Sequence, residues 1–466
     1  MDHPARFSNR HTDNGALYPP TLTPPERPLP IWKLVPAFVK NPLRPLPQQV
    51  YEDDLMVIQP RRGFYIAWVT GPRLVEQILV DDADKMLKSP VEKRVFGTSL
   101  ADGVLIADGA DWRWQRRALA PLFRPVDVQS YVPAMAAAAN AQIARWRTAG
   151  SSHTHTIDRD MSRTTYDVIL STMLAGNHPA EAEAIRKGGS DYLARISWEM
   201  AAAILRVPKW VPHPATWHMR RAAKTLRGAV GDIVARRRAE GGSPTDLLGR
   251  LLLARHPDTN APMSDALVIS NLLTLLEAGH ETTASALTWT LYLLARAPAW
   301  QQRVLDEVRA VAGDALIEAQ HVPKLAVTQR VLKESMRLYP PAPVIAREPA
   351  QTLSLGGFDI PPGSQIIVPI FAIHRHRKLW TDPDLFDPDR FLPEAEAGRP
   401  RMQYMPFGGG PRICIGAQFA MTEATVLLAS FVRAARFDWD GQHKPEPISR
   451  ITLRPAGGMP LAVTLR

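Results

Sequence analysis

Phe407-Gly408-Gly409-Gly410-Pro411-Arg412-Ile413-Cys414-Ile415-Gly416 contains the only cysteine of the chain. Three consecutive glycines permit tight turns with φ > 0 and close backbone approach to a flat ligand. The apolar periodicity from Ala417 to about Arg436 predicts a helix that begins within a residue or two of Cys414. A thiolate there meets the unpaired N–H groups and the positive dipole end of that helix, both of which lower its pKa. Arg412 adds a fixed positive charge suited to a ligand carboxylate. A lone cysteine is by itself an ordinary buried small hydrophobe. The glycines, the arginine and the helix start together argue instead for a thiolate that binds something.

Three further patterns stand N-terminal to this loop. A helical pattern runs from about Ser264 to Ala297, roughly 50 Å long and enough to cross a whole domain. In its middle lies Ala278-Gly279-His280-Glu281-Thr282-Thr283, an acid set in a mostly apolar helix. Glu334-Ser335-Met336-Arg337 puts an acid and a base at i, i+3 on one helix face. Trp112 and Arg116, at i, i+4, open another helical segment.

Phe407, Gly410, Arg412, Cys414 and Gly416 fill all five fixed positions of Phe-x-x-Gly-x-Arg-x-Cys-x-Gly, and the segment resembles the haem-binding signature of the cytochrome P450 family. The resemblance implies that Cys414 is the proximal thiolate of haem iron, a ligation that favours O–O cleavage. It implies that Phe407 packs beneath the haem and that Arg412 binds a propionate. Gly279, Glu281 and Thr282 resemble the family's oxygen-side motif, in which the glycine leaves room for dioxygen. A threonine bonded within the helix opens a local kink, and the acid and alcohol relay protons. His280 is no ligand in this reading. Glu334 and Arg337 resemble the family's Glu-x-x-Arg, completed by Arg390 into a buried structural triad. Trp112, Arg116 and, more weakly, Arg347 fit propionate donors. By family position the substrate is lined by Phe96, Val104, Leu275, Ala278, Val344, Ile345 and Met459.

The resemblance spans residues 31–466 and implies one large haem domain, mainly α with small β-sheets (α+β), in place of the three domains that 466 residues would suggest. Residues 1–30, rich in proline, read as an extended arm that orders only where it lies on the body. The weakly amphipathic stretch at Trp32, Val35 and Phe38, interrupted by Pro36, is expected to pack against the body. Leu55–Pro60 and Phe64–Thr70 read as strands, as does Gln365–Pro369. Gly150–Thr156, Ala175–Pro179, Pro208–Pro214 and Gly241–Pro244 read as loops, and His153-Thr154-His155 and His374-Arg375-His376 as surface loops without metal.

The implied activity is insertion of one oxygen atom of O2 into a lipophilic small molecule, by hydroxylation or epoxidation. The implied cofactor is haem b. Electrons come ultimately from NAD(P)H through ferredoxin and its reductase or, as second choice, a flavoprotein reductase. The alternatives are a peroxide-driven haem-thiolate peroxygenase, which has no need of the Glu281–Thr282 pair, and a non-catalytic haem sensor. One cysteine excludes internal disulfides and cysteine-based zinc fingers. A net charge of +10, spread in short clusters without interleaved aromatics, gives no nucleic-acid signature. Arg113, Arg117 and Arg124 form a basic face for an acidic electron donor. No run reaches the ~18 apolar residues of a membrane span and no apolar leader stands at the start. The expected protein is therefore soluble, bacterial in type and cytoplasmic.

Overall fold

The computed structural model describes residues 16–174, 179–204, 207–208, 210–240 and 247–466. The loops expected at 175–178 and 241–244 lie outside the described residues, as do residues 1–15. The longer helices are, in chain order, α1 (Ile31–Lys40), α2 (Pro90–Leu100), α3 (Gly109–Leu119), α4 (Val132–Ala149), α5 (Ile157–Met173) and α6 (Pro179–Leu193). They continue as α7 (Ile196–Ile204), α8 (Thr216–Ala239), α9 (Asp265–Arg296), α10 (Pro298–Ala312), α11 (Ala326–Leu338) and α12 (Ala417–Ala434).

Helix α9 is apolar on nearly every side, so it lies in the centre with the others packed around it. Ser264 caps it by accepting the Leu267 N–H. Its buried hydroxyls stay satisfied by bonding back one turn: Thr274 to Ser270 O, Thr288 to Ala284 O and Thr290 to Ala286 O. Trp289 stacks on Tyr339 with ring centroids 3.8 Å apart, which joins α9 to the end of α11. Helix α5 packs along α9, α12 crosses it, and α8 lies between α6 and α9.

The β-structure is small and peripheral. Strands β1 (Leu55–Arg61), β2 (Phe64–Val69), β3 (Met86–Lys88), β5 (Ile345–Pro349) and β6 (Gln365–Val368) form one sheet in the order β1-β2-β6-β5-β3. Strand β4 (Ser152–Thr156) pairs with the last strand, β10 (Pro460–Leu465), which also pairs with β7 (Ala435–Asp438). Strands β8 (Pro447–Ser449) and β9 (Leu453–Pro455) make a separate hairpin. The segment read as a loop at Gly150–Thr156 is therefore mostly strand. Its polar His/Thr/Ser sequence gives no strand signal, and β10 supplies the pairing partner from three hundred residues away.

Two other expectations need correction. Trp32 is 71 % exposed, so α1 does not bury it against the body; α1 also runs through Pro36. His374, Arg375 and His376 are buried, not a surface loop. They follow a short helix whose carbonyls and rings are enclosed by α11 and the loop after it. The polar N-terminal segment, from residue 16 on, lies on the body: Leu17 and Leu22 join the main core and Pro20 O accepts the Tyr339 hydroxyl at 2.7 Å. The basic run Arg236–Arg238 ties helices together, Arg236 to Glu181 of α6 and Arg238 to Asp265 of α9.

Candidate functional site

Cys414 sits three residues before the first residue of α12, and its N–H donates to Phe407 O at 2.9 Å, which closes the glycine loop. Gly410 has φ +69°, and a Cβ there would stand 1.7 Å from Leu79 O. Gly408 also has positive φ, +76°. Gly410 thus allows the loop to press onto the backbone at Leu79.

The Cys414 side chain is exposed. Protein packed around the sulfur nevertheless disfavours the thiolate and pushes the thiol pKa up, opposed by the Gly416 N–H and by the Arg116 guanidinium. Cys414 in turn raises the pKa of Arg116, which partial burial lowers. Arg412 bonds Asp108 at 2.7 Å and Ala107 O at 3.0 Å, and lies over the Trp112 ring, 4.4 Å from its centroid. Arg347 is buried in β5, near Lys88, Glu92 and Arg412. Ile345, also in β5, faces the bare Cα of Gly408. Trp112, Arg116, Arg347, Ile345, Phe407, Gly410, Arg412, Cys414 and Gly416 are therefore gathered around one loop.

Behind that loop the Glu334–Arg337–Arg390 cluster is built as expected. Glu334 and Arg337 are fully buried, and Arg337 donates to both Glu334 oxygens at 2.7 and 2.8 Å. Its remaining N–H groups meet His374 O, Pro383 O and Leu385 O at 2.7–2.9 Å. Arg390 Nε lies 3.7 Å from Glu334 Oε1, while its other nitrogens hold Thr381 O and Asp382 O. His374 Nε2 accepts the Met405 N–H, so the cluster reaches the chain just before the glycine loop.

On α9, Thr282 Oγ1 donates to Ala278 O at 2.7 Å, and the helix runs unbroken through this turn. A Cβ at Gly279 would stand 2.7 Å from Ile169 Cδ1 of α5, so the bare glycine lies against that side chain. Glu281 is ion-paired with Arg454 of β9 and accepts the Thr452 hydroxyl at 2.9 Å. His280 is buried and neutral, its Nδ1 on Leu276 O and its pKa pushed down to about 4. Of the expected substrate-lining residues, Met459 is wholly buried in the main core where β10 begins. The hairpin tip residue Ile451 instead packs beside Val95, Tyr192 and Met219. Phe96, Val104 and Val344 are partly buried against the core, Leu275 is buried and Ala278 is exposed.

Sequence reading missed four polar groups. Glu277 is half-buried one turn before Glu281, its pKa raised to about 7 by desolvation. Glu423 of α12 is fully buried beside Thr283, with burial raising its pKa well above the ordinary range. Thr452 and Arg454 lie far away in sequence; only the fold brings them to Glu281. A cavity of about 960 Å³ opens between α2, α8 and the start of α9, with Arg94, Asp102, Glu199, His213 and Arg227 among its walls. Arg94 and His213 both pair with Glu199, at 2.6 and 2.5 Å.

The family model described as Cytochrome P450 matches residues 48–460. Cyclooctatin synthase of Streptomyces melanosporofaciens is 33 % identical over 391 residues, 84 % of this chain and 83 % of that protein. Cyclooctat-9-en-7-ol 5-monooxygenase of the same organism is 31 % identical, covering 87 % of this chain and 89 % of its own length. 11-oxo-beta-amyrin 30-oxidase of Glycyrrhiza uralensis is 29 % identical, over 84 % and 77 %. The crystal structure of the cytochrome P450DA heme domain superposes with a TM-score of 0.83 at 26 % identity, over 96 % of this chain and 98 % of that one.

Proposed function

The chain belongs to the cytochrome P450 family and is a haem-thiolate monooxygenase, and from this premise we propose which of its residues carry that chemistry. The family works with haem, dioxygen and redox partners. Bound haem supplies the centre at which one atom of O2 enters the substrate and the other leaves as water. The residues present fit such a group. An exposed thiol stands before a helix, a backbone N–H and a guanidinium oppose the desolvation of its thiolate, and Arg412 and Arg347 lie near each other by the same loop.

Cys414 Sγ would be the protein ligand of the haem iron in this reading, and this single placement carries it. Gly416 N–H and the Arg116 charge favour the thiolate. Arg412, Arg347, Arg116 and Trp112 hold the propionates, and Phe407 packs beneath the ring. The Glu334–Arg337–Arg390 cluster fixes the loop that carries the ligand. Glu281 would take up a proton and pass it to the Thr282 hydroxyl, the acid and the alcohol acting as the relay. Gly279 serves by setting the distance between α9 and α5.

The substrate is a lipophilic molecule lined by Phe96, Val104, Leu275, Ala278, Val344, Ile345 and Ile451. Relatives named for cyclooctat-9-en-7-ol and 11-oxo-beta-amyrin favour an oxygen-bearing terpenoid skeleton. The cofactor is haem b. Electrons pass from NAD(P)H through a ferredoxin and its reductase, the ferredoxin docking on the exposed Arg113, Arg117 and Arg124.

A carbon monoxide difference spectrum of the reduced holoprotein tests the reading. The thiolate-type red-shifted Soret band is expected in the wild type and absent from Cys414→Ser. A wild type without that band overturns the assignment of Cys414. Ferric spin-state titration with terpenoid alcohols, fatty acids and aromatics then identifies the substrate class.

A further inference from the structure

Glu277 and Glu281 lie one turn apart on α9, on the same face, and β9 offers them one cation between them. Arg454 forms an ion pair with Glu281 and also acts electrostatically on Glu277. Glu281 takes both of its bonds, from Thr452 and from Arg454, on Oε1, and among the described residues Oε2 carries none. The carboxyl of Glu277 occupies a notch made for it on α6: a Cβ at Gly189 would stand 2.7 Å from its Oε1. The other groups facing this pair are few. Tyr166 of α5 and Tyr192 of α6 are neutral phenols whose pKa burial raises. His280 of α9 is neutral, and Asp158 of α5 draws on Arg454. A half-buried site with two carboxylates and one guanidinium holds an uncompensated negative charge if both acids ionise, which desolvation opposes.

We propose that Glu277 and Glu281 are a two-carboxylate proton store sharing Arg454, in which Glu277 is the acid that reloads Glu281 during turnover. This rests on the reading of Glu281 and Thr282 as the proton relay. The Glu277 O–H bond breaks and its proton moves, directly or through one water, to Glu281 Oε2. Arg454, 48 % exposed, moves its charge toward the newly formed Glu277 carboxylate. Glu281 then gives the proton to the Thr282 hydroxyl, which releases its own toward the oxygen side. Glu277 regains a proton from water. Each cycle imports one proton and leaves every protein group as it began. Desolvation raises Glu277 to about 7, so its protonated form is available near neutrality and is lost as the pH rises through that value.

The test uses holoenzyme with its reductase chain and the panel lipophile that best shifts the ferric spin state. In wild type, product formed per electron pair falls as pH rises through about 7. Glu277→Gln is expected to lower coupled turnover about tenfold, raise peroxide release and abolish that pH step, with the carbon monoxide band and spin-state shift intact. Glu277→Asp restores part of the coupling. Gly189→Ala crowds the carboxyl while keeping it, and shifts the pH step without removing it. Infrared difference spectra should show a carboxylic acid C=O stretch that disappears in Glu277→Gln. Wild-type coupling and pH profile in Glu277→Gln overturn the proposal. So does a variant that loses only substrate binding, which makes Glu277 a substrate anchor. Loss of the carbon monoxide band in wild type would instead strike the monooxygenase site itself.

Discussion

Glu334→Gln removes one charge from the best-enclosed ionic cluster of the molecule while preserving side-chain shape. Both partners of the Glu334–Arg337 pair are 0 % exposed. The carboxylate accepts two bonds from Arg337 and one from the Asp387 N–H at 2.8 Å. An amide in its place turns one acceptor into a donor that faces Arg337, and strands the guanidinium charge in the interior. Removing one member of such a buried pair costs ~3–5 kcal/mol. That is two to three and a half orders of magnitude in the folding equilibrium at about 1.4 kcal/mol per tenfold, against a total stability of about 5–15 kcal/mol. Arg337 also holds the carbonyls of His374, Pro383 and Leu385, so the loss falls on the segment leading to the cysteine loop. The assay is haem content per folded protein, read from the carbon monoxide band, together with the urea midpoint followed by circular dichroism. Glu334→Gln should yield little haem-loaded protein and a clearly lower midpoint. Normal haem incorporation with a loss below about 1 kcal/mol would refute the view that the buried ionic cluster fixes this loop.

Gly410→Ala should abolish the thiolate-type spectrum, because its Cβ would strike Leu79 O at 1.7 Å, whereas Gly441→Ala, also at positive φ but with open space around it, should cost only the ~1–2 kcal/mol of backbone strain and keep the spectrum. Equal effects of the two on spectra and urea midpoints would contradict this. Burial holds His374 at about 3, below its unfolded value of about 6.5, so the stability it confers is complete above about pH 6.5. It is lost as pH falls toward about 3, at roughly 1.4 kcal/mol per unit. Urea unfolding measured from neutral to acidic pH should show a shallower acid limb in His374→Gln than in wild type. Arg116→Leu removes a charge that lowers the Cys414 thiol, so alkylation of the haem-free protein should move to higher pH; an unchanged profile would place the guanidinium elsewhere.

The contiguous signals were the ones that sequence could carry. The cysteine loop and its following helix, the central helix and the Glu334–Arg337 turn are each set by residues within ten positions of one another. Backbone torsion, helix periodicity and i, i+3 or i, i+4 spacing act over that range. With them came the family and the fold class. What the tertiary structure decided was which distant groups meet. Glu281 finds Arg454, 173 residues away, and so stands as one half of an ion pair instead of an open acid. Gly410 lies against the backbone of Leu79 and Gly279 against the side chain of Ile169, neighbours that no local pattern names. His374 and His376 look like a polar surface turn in sequence, yet the chain around Arg337 encloses them. Met459 is carried into the core where β10 pairs with β4, a burial that its own neighbourhood in sequence does not announce. Burial and charge pairing are properties of packed neighbours, so pKa values, ion pairs and the identity of a lining residue appear only when separate segments are brought into contact.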